Sequence, residues 1–186
     1  MNILLDKLPQ ITPNGYKINT DFRNGIRFEL LMQDNTIEDR LKLTIALNIF
    51  YDEIPHDVEK ALDDIIWFYR MNKNEKVKTK PKENKKSKQI YSFEFDDVYI
   101  YSAFLQQYKI NLNSIDYLHW WEFKALIEGL NDDTQFVKIM GYRAIDLGKI
   151  KDKDEKNRYK ELQKLYALPD MRTEEQKEAD FGRAFW

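Results

Sequence analysis

The 186-residue chain contains no cysteine, which rules out disulfides, a thiol nucleophile and thiolate metal ligation. Histidine is almost as scarce, with only His56 and His119, too few for a tight zinc centre, which wants about four donors. His119 and Glu122 stand one helical turn apart, but di-iron bundles use the reverse order, Glu-x-x-His, repeated and joined by further glutamates. The pair is therefore read as polar groups at the margin of a buried helix, with no metal. The four serines, Ser87, Ser92, Ser102 and Ser114, include none in a G-x-S-x-G elbow, and no G-x-x-x-x-G-K-[ST] loop is present to cradle phosphate. The stretch from Asp152 starts like a calcium loop but has Asn157 where the sharp turn needs glycine. The adjacent acids Asp63-Asp64, Asp96-Asp97 and Asp132-Asp133 would need burial or close partners for acid–base work, and are read instead as caps and helix-dipole partners. Neither catalysis nor a cofactor is expected. No uncharged apolar run reaches the length of about 18 residues that spans a bilayer. The opening MNILLDKLPQI, with Asp6 and Pro9, lacks the basic start and apolar centre of a signal peptide. No membrane partner and a cytosolic location are expected.

What the chain does contain is apolar and aromatic surface, at 42% hydrophobic and 14% aromatic residues, enough to bury a real core and to exclude a disordered protein. Its formal charge of −2 hides an asymmetry. Asn72 to Lys88 carries eight lysines against two glutamates, a local net of +6 that leaves −8 for the rest. The folded part is acidic, which argues against broad phosphate-backbone binding by its surface. The basic stretch holds one apolar residue, one proline and no period, so it reads as a flexible linker. Its lysines also allow a contact with nucleic acid or an acidic protein, although the interleaved aromatics of single-strand binders are missing.

Periodicity and caps predict a mainly α protein, a multi-helix bundle of about eight helices with one short N-terminal β-hairpin. The hairpin is placed at Asn14-Gly15, which supplies the positive φ angles of a tight turn. Residues 1–71 form the hairpin plus one helical half, 72–88 the linker, and 89–186 a second helical half. The first helix runs from Asp21, weakened by about 1 kcal/mol at Gly25. A second is capped by Thr36 and stopped by Pro55, and a third carries the stripe Val58, Leu62, Ile65, Ile66 and Tyr69. Beyond the linker, Val98, Tyr101, Ala103, Leu105 and Tyr108 give a fourth helix its apolar face, with Asp96 and Asp97 at its positive end. Asn113 or Ser114 caps the next helix, which Gly129 ends. Asp132 and Gln135 have capping-box spacing, and Tyr159, Leu162, Leu165 and Tyr166 mark a surface helix stopped by Pro169. A last helix starts at Thr173 and runs to an apolar end.

The segment YLHWWEFKALIEGL places Trp120, Phe123, Leu126, Ile127 and Leu130 on one arc of a helix, and Leu118, Trp121 and Ala125 on another. Two apolar arcs exceed what one neighbouring helix covers. Packing alone justifies both indoles, since burying one tryptophan removes about 200 Å² from water, roughly 5 kcal/mol as an upper estimate. Large aromatics also anchor binding hot spots. Trp67, Phe68 and Tyr69 at the end of the third helix, Trp120 and Trp121, and the terminal Phe185 and Trp186 are therefore the candidate partner-binding residues.

INTDFR, FYDEIPHDVEKALDDIIWFYR, IYSAFLQQYKINL, YLHWWEFKALIEGL, DTQFVKIMGYRAIDL and YKELQKLYALPD together resemble the bacteriophage gene product fifteen family. The resemblance covers nearly the whole chain except the lysine-rich stretch. That family occurs in long-tailed phages of Gram-positive hosts, beside the tape measure protein and a tail assembly chaperone. The resemblance implies a non-enzymatic part in tail assembly in the host cytoplasm, as a chaperone that holds tape-measure segments soluble, with the tape measure protein and other tail assembly proteins as partners. It brings no catalytic residues. A minor structural or connector component of the tail is the alternative, and nucleic-acid binding through residues 72–88 a third reading.

Overall fold

The computed structural model describes residues 2–73 and 89–170. The lysine-rich stretch from Asn74 onward lies outside the described residues, as do the helix expected from Thr173 and the pair Phe185 and Trp186. Among the described residues there are seven helices and no strand: α1 (Phe22–Gln33), α2 (Asp39–Phe50), α3 (Val58–Tyr69), α4 (Asp97–Tyr108), α5 (Trp120–Glu128), α6 (Gln135–Ala144) and α7 (Lys153–Leu165). None is long and apolar enough to cross a membrane.

The expected hairpin is a turn instead. Gly15 takes φ +87° and the Thr12 amide donates to the Tyr16 carbonyl at 2.8 Å, but only one antiparallel bridge follows, between Ile11 and Lys17. Side chains hold this loop in place of a strand ladder. The Thr12 hydroxyl and the Asn14 amide (2.9 Å) both donate to the buried carboxylate of Asp64 on α3. Because those donors satisfy Asp64, α3 turns it inward beside Ala61, Ile65 and Phe68, and leaves Val58 and Ile66 exposed. Of the stripe expected on α3, only Ile65 is fully buried, with Leu62 and Tyr69 half-buried.

Several helix caps differ from the sequence expectation, in α5 and α6 because another side chain reaches the orphan amides. Asp21 caps α1 and Asp57 caps α3. Thr36 does not cap α2; its amide and hydroxyl donate to Asp34 at 2.8 and 2.6 Å, and the helix begins at Asp39 without a side-chain cap. Asn113 and Ser114 belong to a turn closed by the Asn111 side chain, while His119 caps α5. Thr134, not Asp132, caps α6. On α4 the buried residues are Ile100, Ala103 and Phe104, with Val98 turned to solvent. Asp96, expected to serve the helix dipole, is fully buried and paired with Arg143 of α6, which fixes the rotation of α4. Helix α7 buries no residue, and rests Tyr159 and Tyr166 against Tyr142 of α6.

α1 packs on α2 and α5, α2 on α3, α4 on α6, and α6 on α7. The two helical halves share one hydrophobic core, in which Phe50, Ile65 and Phe68 meet Phe104, Trp120 and Phe123. Gly25 explains how α1 lies against α5. A Cβ there would sit 2.2 Å from the Trp120 ring, so the glycine that weakens the isolated helix is what lets the indole lie flat on it.

Candidate partner-binding groove

The aromatic residues singled out in the sequence divide sharply by burial. Phe68, Trp120 and Trp121 are buried at 0, 0 and 3% exposure, so no face of them is left for a partner in this fold. Trp67 and Tyr69 are half-buried. What consumes the two indoles is the end of α3. Trp121 Nε1–H donates to the Phe68 carbonyl at 2.8 Å and Trp120 Nε1–H to the Tyr69 carbonyl at 3.0 Å. Carbonyls in the last turn of a helix lack partners within it, and adjacent tryptophans on α5 supply two donors there while their rings fill the core. Trp120 stacks on Tyr69 and Phe123, and Trp121 on Phe68. The Tyr69 hydroxyl donates to Glu29 at 2.5 Å, and burial first, then the Glu29 carboxylate, push its pKa far above the ordinary value.

His119 is likewise a structural group. Its Nδ1 accepts the Trp121 amide at 3.0 Å, which leaves the proton on Nε2 to be donated to the Pro9 carbonyl at 3.1 Å. Glu122 returns to the His119 amide at 3.3 Å and completes a capping box. Burial lowers the pKa of His119, against smaller opposing effects of the Pro9 carbonyl and Glu122, so the neutral ring is favoured. Among the described residues no three histidine or acidic side chains gather as a metal site.

Among the described residues, the open surface lies elsewhere. A groove of about 1420 Å³ runs between the end of α1, the flank of α2, residues 89–95 and the chain after α7. This exceeds the roughly 300–1,000 Å³ of small-molecule clefts, and would hold about three turns of a helix about 10 Å across. Its apolar walls are Leu30, Ile37, Ile45 and Ile49 on one side, with Phe95 and Leu168 on the other. Ile45 and Ile49 are one turn apart on α2, whose buried face is Lys42, Ala46, Leu47 and Phe50. The groove therefore uses the flank of α2 whose isoleucines pack against the edge of the core and stay half-buried. Arg27, Asp34 and Glu94 stand among its polar lining.

Arg143 forms the floor and ties the distal walls together. Its guanidinium makes a bidentate pair with Asp96 at 2.6 and 2.9 Å, and donates to the carbonyls of Ile90 at 3.1 Å and Tyr166 at 2.6 Å. Asp96 also accepts the Ser92 amide at 2.9 Å. One buried ion pair thus anchors residues 90–96 and the end of α7 to α6. The sequence signal for the groove was weak: Leu41, Ile45 and Ile49 recur at i, i+4 and i+8, but α2 is apolar over most of its circumference, so no face stood out.

Residues 4–168 match the family model described as Bacteriophage Gp15 protein. No curated protein and no solved structure matches the chain.

Proposed function

The chain belongs to the Bacteriophage Gp15 family and is a phage protein, and from that premise we propose a non-enzymatic tail assembly factor, a chaperone that binds apolar helical segments of the tape measure protein in the groove between α1, α2 and the end of α7. The observation that carries this reading is the groove itself, because a helix docks by spaced apolar anchors, and Leu30, Ile37, Ile45 and Ile49 offer such anchors on a wall already built. A chaperone must release its client when tube subunits arrive. Half-buried aliphatic side chains suit reversible binding better than a deep aromatic pocket, since each contributes only part of the about 1.5–3 kcal/mol of a fully buried one. Partners other than tail proteins are not required by this reading, and the protein acts in the host cytoplasm before the tail is complete.

The test is co-expression with overlapping tape-measure fragments. The reading expects at least one fragment to gain soluble yield and to co-purify, and the protein to be absent or scarce in mass spectra of purified particles. Stoichiometric recovery in particles would favour a structural tail component instead. Failure of every fragment, with normal tails assembled in its absence, would remove the chaperone reading.

A further inference from the structure

The groove leaves unexplained the most polar helix of the fold. Helix α7 buries no residue, yet Lys153, Lys156, Lys160 and Lys164 fall within an arc of about 80° at about 100° per residue. All four are exposed. They span 12 residues, about 16 Å of helix at about 1.5 Å per step. Asp154, Glu155 and Glu161 lie outside that arc, and among the described residues none of the four lysines forms an ion pair. Two successive pairs, Lys156 with Lys160 and Lys160 with Lys164, stand at i, i+4, where like charges destabilise an isolated helix. Residues 149–164 carry seven basic against four acidic side chains, a net of +3. With +6 in residues 72–88, the remainder of the chain holds −11.

From this we infer that the lysine face of α7 is a docking surface for an acidic helix of a partner protein, one that presents carboxylates at i, i+4 spacing. The match is geometric as well as electrostatic. Two helices lying side by side share the rise of about 6 Å per four residues, so successive glutamates of one meet successive lysines of the other, as charged flanks do in paired helices. A nucleic-acid backbone is the poorer fit, because the stripe is a single short row, the aromatic next to it, Tyr159, is packed against Tyr142, and the rest of the chain is acidic. The surface lies at the end of the fold that Arg143 fastens to residues 90–96, on the helix whose Gln163 also lines the groove, so a partner helix there would lie next to it. This inference does not depend on the tape measure as client.

The experiment uses the full chain and two synthetic helical peptides of identical composition. One carries glutamates at i, i+4 and i+8; in the other the same residues are scrambled. Fluorescence anisotropy at low ionic strength is expected to show the ordered peptide binding about tenfold or more tightly than the scramble, with the difference shrinking as salt rises. The double variant Lys156→Glu, Lys160→Glu should abolish the preference while leaving the melting temperature and the lysines of 72–88 unchanged. Equal binding of the two peptides would overturn the proposal, as would a preference that survives the double variant. Displacement of the ordered peptide by duplex DNA at equal charge concentration would assign the face to nucleic acid and overturn it too.

Discussion

The aromatic centre and the groove are built from the same kinds of helix but spend their side chains differently. At the centre every ring is used: the indoles of Trp120 and Trp121 reach two carbonyls of α3, and among the described residues no buried side-chain polar atom lacks a partner. At the groove, aliphatic side chains of α2 remain half-covered and the polar groups beneath them converge on one ion pair, Arg143 with Asp96. The contrast separates what makes the fold from what is left for a partner. Among the described residues Phe68, Trp120 and Trp121 are structural, and the groove is walled mainly by aliphatic side chains with Phe95 at its edge.

The sharpest way to break this contrast is to attack the centre. Trp120→Ala should cost about 3–5 kcal/mol in denaturant titration, because it empties the space against Gly25 and orphans the Tyr69 carbonyl. Asp96→Ala should cost a similar amount, about 3–5 kcal/mol, since it strands a buried guanidinium. Hydrogen exchange should then quicken in residues 90–96 and 163–167 before it quickens in α1. If Asp96→Ala loosened the whole chain uniformly, the ion pair would belong to the centre and not to the groove.

Two helical glycines sharpen the comparison at smaller scale. Gly25→Ala should destabilise by about 1–3 kcal/mol or more, because the new methyl meets the Trp120 ring. Gly141 in α6 has nothing within 4 Å of an added Cβ, so Gly141→Ala should stabilise by about 0.5–1 kcal/mol through helix propensity. Melting curves of the two variants should move in opposite directions.

The pH response of the centre is smaller and has a definite sign. His119 has a folded pKa below its ordinary 6.5 because burial disfavours the charged ring. Its contribution to stability is therefore present above pH 6.5, and is lost as pH falls through that value towards the folded pKa. Protonation at Nδ1 would also remove the acceptor that caps α5. His119→Asn, which keeps a capping oxygen but does not titrate, should flatten that part of the stability–pH profile. A profile unchanged by the substitution would mean that the ring titrates alike in folded and unfolded chains.

Helix existence was legible in the sequence, because period and punctuation are local: α1 and α3 begin within a residue or two of their expected starts, and Gly129 ends α5 as expected. Which face turns inward was less legible. Asp64 and Asp96 are charged residues that hydrophobic periodicity assigns to solvent, and each is buried only because distant partners, Thr12 and Asn14 or Arg143, meet it in three dimensions. Those partners lie 47 to 52 residues away in sequence, beyond any window of periodicity. The same limit hid the groove, whose walls come from four separate stretches of chain, and left open whether Trp120 and Trp121 serve the core or a partner; they are the seam between α1, α3 and α5.

If the groove, and not the aromatic centre, is the surface that meets a partner, substitutions in its wall should block binding while exposed substitutions elsewhere should not. The most direct test compares Ile45→Asp in the groove wall with Leu105→Asp, an exposed leucine on α4 outside it, in co-purification with a tape-measure fragment that the unaltered protein solubilises. Leu105→Asp should change stability by about 1 kcal/mol or less, whereas Ile45→Asp, at a half-buried side chain packed against the core, should cost about 1–3 kcal/mol, so melting curves first establish that both variants are folded. The account predicts that Ile45→Asp loses the fragment while Leu105→Asp retains it; equal retention by both folded variants would contradict it.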